Sequence, residues 1–228
     1  MGGLLQDVFA KSVERHPSRT AVWARGRSLT YAELEERSSQ LACLLLDRGV
    51  TAGDRVGLYF PKSVDSLVAM LGTLKAGAAY VPIDPQSPRK RAAYIIDNCA
   101  IKVLITTPDR SQILSATNGN ATRDCLVIGD LPDASKSPLI PWSAIETYSG
   151  KRPAPIGTTF SDLAYILYTS GSTGEPKGVM LTHQNARAFV DWCADTFHIS
   201  SEDRLSSHAP LHFDLSVFDL YNTLEAGA

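Results

Sequence analysis

Apolar positions along this chain fall into two alternating rhythms, one of period near 3.6 and one of period near 2, and their alternation predicts a fold class before any chemistry is considered. Residues 4–16 place leucine, valine and phenylalanine at helical spacing and stop at Pro17, which cannot continue a helix. A strand is expected over 20–24, turning at Gly26. Thr30 followed three residues later by Glu33 is a capping-box signature, so a helix is expected from there through Asp47, ended by Gly49. A strand over 55–60 leads into a helix over 63–76 closed by Gly77. A strand at 79–83, a helix opened by Ser87 and Pro88, and strands at 102–106 and 125–128 follow. This alternation reads as α/β, with layered αβ subdomains and mostly parallel sheets.

The rhythm lapses over residues 131–160, which are rich in proline, serine and glycine, and the stretch is expected to be a surface connection between two α/β layers. Beyond it the pattern predicts two strands flanking a small-residue loop, a helix over 184–197, a strand near 204–208 and a helix beginning near Asp214. There is no internal repeat and no low-complexity tract.

Composition narrows the functional classes. The 228 residues are 44% hydrophobic and 20% charged with a formal charge of -2, enough apolar content for a sizeable core and no basic excess to attract nucleic acid. Neither a nucleic-acid partner nor a membrane is expected. Cys43, Cys99, Cys125 and Cys193 lack metal-site or redox spacing, so they read as thiols in a reducing compartment. The start, MGGLLQDVF, has no basic leader, and Gln6 stands where a myristoylation signal needs serine or threonine. A cytoplasmic location is expected.

The chemistry concentrates in LAYILYTSGSTGEPKGVMLTH, residues 163–183, where an apolar strand enters a loop ending in Lys177. Gly171, Gly174 and Gly178 permit close backbone approach, while Thr169, Ser170, Ser172 and Thr173 offer hydroxyl and N–H donors to phosphate oxygens. Lys177 adds a mobile positive charge. A nucleotide-binding P-loop would place serine or threonine after the lysine and open a helix there. Here Gly178 follows, and then a short β-prone stretch, so that motif is excluded; an ordinary serine- and glycine-rich hairpin turn is the plainer alternative.

Three further segments weigh against the plain turn. LTYAELEERSSQLA (29–42), LKAGAAYVPIDP (74–85) and FDLS (213–216) occur in order with the loop. Together they resemble four motifs of the adenylate-forming ligases, specifically the amino-acid adenylation domains of nonribosomal peptide synthetases and their stand-alone relatives. The resemblance implies the N-terminal portion of that family's large domain. It also implies a reaction in which a substrate carboxylate and ATP give an acyl-adenylate and pyrophosphate, with magnesium assisting. The product would then pass to a thiol, here the phosphopantetheine of a carrier protein. Thr169, Ser170, Gly171, Ser172, Thr173, Gly174 and Lys177 would hold the ATP phosphates, with Lys177 as the catalytic candidate.

By the same resemblance Asp214 would pair with the α-ammonium of an amino acid, and Leu215 and Phe218 would line its side-chain pocket, which suits a small to medium apolar or cyclic substrate. On sequence alone Asp214 is equally readable as a helix N-cap. LKAGAAYVPIDP reads as a structural helix end, turn and buried strand. His208 and His212 are four apart, but Pro210 between them breaks helical geometry, so no metal site is expected within the chain, and the main magnesium ligand is expected outside it. No counterpart of the family's adenine, ribose or mobile-lysine segments is found, so residues 1–228 are expected to be an incomplete N-terminal core, without the C-terminal half and small mobile domain, and inactive alone. Two alternatives stand beside an amino-acid-activating ligase: a catalytically silent, adenylation-like binding fragment, and an acyl-CoA ligase acting on a non-amino acid.

Overall fold

A computed structural model of the chain describes residues 3–110, 125–130, 138–170 and 175–228. A 3-10 turn (Leu5–Asp7) and helix α1 (Ala10–Arg15) precede a hairpin of β1 (Thr20–Ala24) and β2 (Arg27–Thr30). The hairpin turns on Arg25 and Gly26, both at positive φ (52° and 79°), the backbone pair that matches the twist of a two-residue hairpin. The helix expected over 4–16 is therefore divided. Its first turn is tightened because the Leu4 N–H is taken by Asp7 Oδ2 (2.8 Å) and the Leu5 N–H by the distant His183 Nδ1 (3.1 Å).

Helix α2 (Tyr31–Asp47) starts with the capping box that the sequence predicts: the Glu33 N–H donates to Thr30 Oγ1 (3.2 Å) and the Thr30 N–H to Glu33 Oε2 (2.7 Å). Strand β3 (Arg55–Tyr59), α3 (Val64–Lys75), β4 (Ala79–Pro82), α4 (Arg89–Asn98) and β5 (Val103–Thr106) then form two consecutive crossovers. Short strands β6 (Leu126–Ile128) and β7 (Leu139–Ile140) extend the sheet. Strands β8 (Leu163–Thr169) and β9 (Lys177–Thr182), helix α5 (His183–Phe197), and an end-to-end run of α6 (Leu215–Val217), a π-helical turn (Phe218–Asn222) and α7 (Thr223–Ala226) complete the order.

Seven strands make one sheet in the order β7-β6-β5-β3-β4-β8-β9, and every pairing is parallel except the β8–β9 hairpin. Parallel strands need helical crossovers, and those helices cover both faces, which is why β4 and β5 are buried along their whole length. One face packs against α3, itself almost wholly buried beneath α2; the other packs against Ala92, Ile95 and Ile96 of α4. At the α2–α3 crossing Gly72 lets the helices approach so closely that an added Cβ would lie 2.9 Å from Leu41 Cβ.

Two expectations are corrected here. Residues 204–208 form no strand; the segment 203–208 is irregular, because no ladder partner faces it among the described residues. The stretch 131–160 contributes more than a connection: β7 pairs with β6, and a 3-10 turn (Trp142–Thr147) buries Ile145. All four cysteines are free, three of them buried. No helix among the described residues is long and apolar enough to cross a membrane.

Candidate active site

Strands β4 and β8 pair through a single register position, Tyr80 opposite Tyr165. Past it Pro82 has no N–H to offer, so the two strands part toward their carboxyl ends. A cavity of about 640 Å³ opens there, lined by Pro82 at the end of β4 and Asp84 beyond it, by Thr169 and Ser170 at the end of β8, and by His212, Phe213 and Asp214. Carboxyl-end crevices of open parallel sheets are where ligands bind in such folds, and the volume suits a small-molecule ligand.

The β8–β9 hairpin supplies the donor-rich edge. Thr169 and Lys177 face each other across the ladder at the point where the loop departs, and both are exposed. The chain continues after Lys177 as strand β9 rather than as a helix, in line with the exclusion of a P-loop. Gly171, Ser172, Thr173 and Gly174 lie outside the described residues. Ser87, at the foot of α4, also lines the cavity, and its buried Oγ has no hydrogen-bond partner among the described residues. Half-buried Arg91 completes that wall.

Asp214 precedes α6, yet its geometry differs from the caps elsewhere in this chain. Thr30 and Thr182, true N-caps, have extended backbones (ψ 168° and 166°) and accept from the N–H three residues on. Asp214 is already helical (φ -60°, ψ -35°) and among the described residues its Oδ1 accepts only from the adjacent Leu215 N–H, at 2.8 Å. The turn is tied instead by Ser216 Oγ, which donates to Phe213 O (2.7 Å) and Leu211 O (3.3 Å). The carboxylate is exposed at the cavity edge, and the described residues leave most of its acceptor capacity unused. Behind it, Tyr165 stacks on Tyr80 with ring centroids 5.2 Å apart, and Tyr221 donates to the Tyr80 hydroxyl (3.3 Å). Burial, with the Asp214 charge in support, pushes the Tyr165 hydroxyl up to about 12.

His212 faces Asp84 with Nε2 and Oδ2 4.0 Å apart. Burial lowers its pKa, Asp84 opposes the shift and Arg91 adds to it, so the ring is neutral near pH 7. Leu215 and Phe218 do not line this cavity. Leu215 is 63% exposed, and Phe218 packs edge-to-face on Phe197 of α5 at 5.3 Å. No group of three potential metal-binding His, Cys, Asp or Glu side chains occurs among the described residues, so these residues do not fit a magnesium cage by themselves.

Sequence reading missed Asp84, Ser87 and Arg91 as site residues. The signal was the position of Pro82 at the carboxyl end of a buried parallel strand, which points to a sheet opening and not only to an irregular strand end. A second crevice, of about 400 Å³, opens at the carboxyl ends of β3, β5 and β6, but its walls carry Asp65, Asp109 and Asp130 against Arg25 alone. That charge balance is wrong for phosphate.

The family model described as AMP-binding enzyme matches residues 9–228, and the chain belongs to that family. It is 40% identical over 225 residues to the L-proline--[L-prolyl-carrier protein] ligase of Pseudomonas fluorescens, covering 99% of this chain and 44% of that protein. A structure of the nonribosomal peptide synthetase FmoA3 bound to α-methyl-L-serine-AMP superposes with TM-score 0.81 at 32% identity, over 99% of this chain and 23% of that one. The anthranilate CoA ligase AuaEII, solved with anthranoyl-AMP, shares the fold at TM-score 0.89 and 23% identity, over 99% of this chain and 44% of its own. The chain spans less than half the length of each of these three relatives.

Proposed function

We propose that this chain forms the substrate- and phosphate-binding part of an ATP-dependent amino-acid ligase, which makes an aminoacyl-adenylate and pyrophosphate and then loads a carrier-protein thiol. The observation that carries the reading is Asp214. Its carboxylate sits at the edge of the cavity between β4 and β8, does not cap its helix in the usual way, and has acceptor positions to spare. An α-ammonium would pair with that charge, whereas a plain carboxylic acid would leave it unpaired in a semi-enclosed site. Likeness to a prolyl-carrier-protein ligase and to a synthetase holding an aminoacyl-AMP supports the same class of substrate and the same thiol acceptor. A small to medium apolar or cyclic amino acid, met by Leu215 and Phe218 once the remainder of the enzyme closes over them, is the expected substrate.

In the reaction an oxygen of the substrate carboxylate attacks the α-phosphorus, and the bond to the leaving pyrophosphate breaks. Charge grows on the phosphate oxygens. Thr169, Ser170 and Lys177, with Gly171, Ser172, Thr173 and Gly174 of the intervening loop, neutralise and orient those oxygens, and Ser87 Oγ offers one further donor; no covalent nucleophile on the protein is required. Magnesium accompanies the nucleotide in this reading and takes its ligands from outside the described residues. The free thiols fit a reducing, cytoplasmic setting. The test is ATP–pyrophosphate exchange by the full polypeptide that the gene encodes, against a panel of amino acids and their des-amino analogues. Exchange dependent on one or a few amino acids is expected; exchange driven equally by the des-amino acids, or by none, would overturn the reading.

A further inference from the structure

Lys62 belongs to no motif, yet it reaches across the carboxyl edge of the sheet. It lies in the turn between β3 and α3, half-buried, and its Nζ donates to Ser207 O, to Ser207 Oγ (3.2 Å) and to Ala209 O (2.7 Å). These acceptors belong to an irregular segment with no sheet partner, three residues before His212 and five before Asp214. On the far side of Asp214, the Asp219 carboxylate of the π-helical turn is near enough to hold up the Lys62 charge, against the burial that pulls it down. Asp219 Oδ2 is itself buried with no hydrogen-bond partner among the described residues. A cavity of about 240 Å³ lined by Lys62, Asp84, Pro210 and His212 adjoins the larger one and shares Pro82, Asp84, Gln86 and His212 with it.

We infer that Lys62 is a positioning residue for substrate recognition: one ammonium grips the backbone that delivers His212 and Asp214, and attracts the helical turn behind them, so that the amine anchor is held at a fixed distance from the end of β4. The physical argument is one of accounting. Residues 203–209 lie in neither helix nor strand, and Lys62 supplies a charged donor to two carbonyls of that stretch, Ser207 O and Ala209 O, and to the Ser207 hydroxyl. Elsewhere in the chain a buried lysine, Lys75, ties together two helices that contribute nothing to the cavity between β4 and β8; at Lys62 the gripped segment leads into the site wall. The inference rests on the amino-acid reading of Asp214 for its kinetic half only.

The test uses Lys62→Met, which keeps the stem and removes the charge, and Lys62→Arg, which restores a charged donor, in the full encoded polypeptide. Lys62→Met is expected to speed amide exchange across residues 204–213 and to raise the amino-acid KM by about tenfold, in keeping with loss of charged hydrogen bonds. The ATP KM and melting temperature should move little, and Lys62→Arg should recover most of both losses. Unchanged exchange across 204–213 in Lys62→Met would overturn the clamp whatever the kinetics. Faster exchange with ATP and amino-acid KM raised alike, or with no change in either, would overturn its role in recognition. If the wild-type polypeptide activated no amino acid, the functional reading and the kinetic half would fall together, and the exchange arm would still decide the clamp.

Discussion

The seam between α2 and α3 and the mouth between β4 and β8 handle polar groups in opposite ways. In the seam, Lys75 is 5% exposed and fully occupied: Nζ donates to Glu35 O (3.1 Å), Ser38 Oγ (2.7 Å) and Ser39 Oγ (3.0 Å) and pairs with Glu35 Oε2 at 2.9 Å. Burial pulls its pKa down to about 8 and Glu35 holds it up. At the mouth, Asp214 has one local bond and Ser87 Oγ has none among the described residues. The seam satisfies its polar groups internally, because an orphaned buried polar group costs about 1–3 kcal/mol. A site leaves some open for its ligand. Substitutions in the two regions should therefore separate: stability should fail in the first and chemistry in the second.

The largest stability loss is expected at Lys75. Lys75→Met strands Glu35 beside two serine hydroxyls and should cost about 3 kcal/mol, the low end for a broken buried pair because Glu35 can turn toward water. Urea unfolding measures it; a loss below about 0.5 kcal/mol would erase the contrast between the regions. Gly72→Ala comes next, at about 2 kcal/mol, because the new methyl meets the Cβ of Leu41 and the helices must separate.

His183 gives a pH-dependent version of the same scaffold effect. It is buried, its Nδ1 accepts the Leu5 N–H, and burial lowers its pKa below the ordinary 6.5 while Asp162 and Asp7 oppose the shift. The unfolded chain therefore takes up the proton first as pH falls. This contribution is complete above 6.5 and is lost as pH falls from there through the lower folded value. The melting temperature should drop between about pH 7 and pH 5, and the drop should shrink in His183→Gln, which keeps an acceptor but does not titrate. An equal drop in both proteins would place the acid sensitivity elsewhere.

The seam was far more legible in the sequence than the mouth. Thr30 with Glu33, and Gly77 after a run of apolar helix, are local signals, and local signals survive into the structure as the cap and end they predict. The site depends on contacts between residues far apart in the chain. Asp84 and His212 are 128 positions apart and meet where the irregular segment after α5 reaches the end of β4, a long-range contact that no local pattern carries. The strand expected at 204–208 failed for the same reason: alternation marks an extended chain but not whether a ladder partner exists, and here Lys62 takes the carbonyls of Ser207 and Ala209 instead. Of the loop and motif residues singled out in the sequence, Thr169, Ser170 and Asp214 meet at one cavity. Lys177 stands at the loop's exit, while Leu215 and Phe218 lie outside that cavity.

Smaller in stability, and larger in chemistry, is Lys177→Ala. An exposed strand-end side chain should contribute less than about 0.5 kcal/mol to folding. Loss of a charge facing developing phosphate charge should lower adenylation by about a hundredfold in the full polypeptide. Unchanged turnover in the folded variant would remove Lys177 from the phosphate site.

The most direct test of the central claim is Asp214→Asn, assayed by ATP–pyrophosphate exchange with the preferred amino acid and with its des-amino analogue, alongside a melting curve. Asparagine caps a helix about as well as aspartate, so little change in melting temperature is expected. Activation of the amino acid should fall by about a hundredfold, because the α-ammonium loses its partner in a semi-enclosed site, while the des-amino analogue should lose little or gain. Amino-acid activation that survives within a few fold would make Asp214 a local turn residue and would contradict the assignment of an amino-acid substrate.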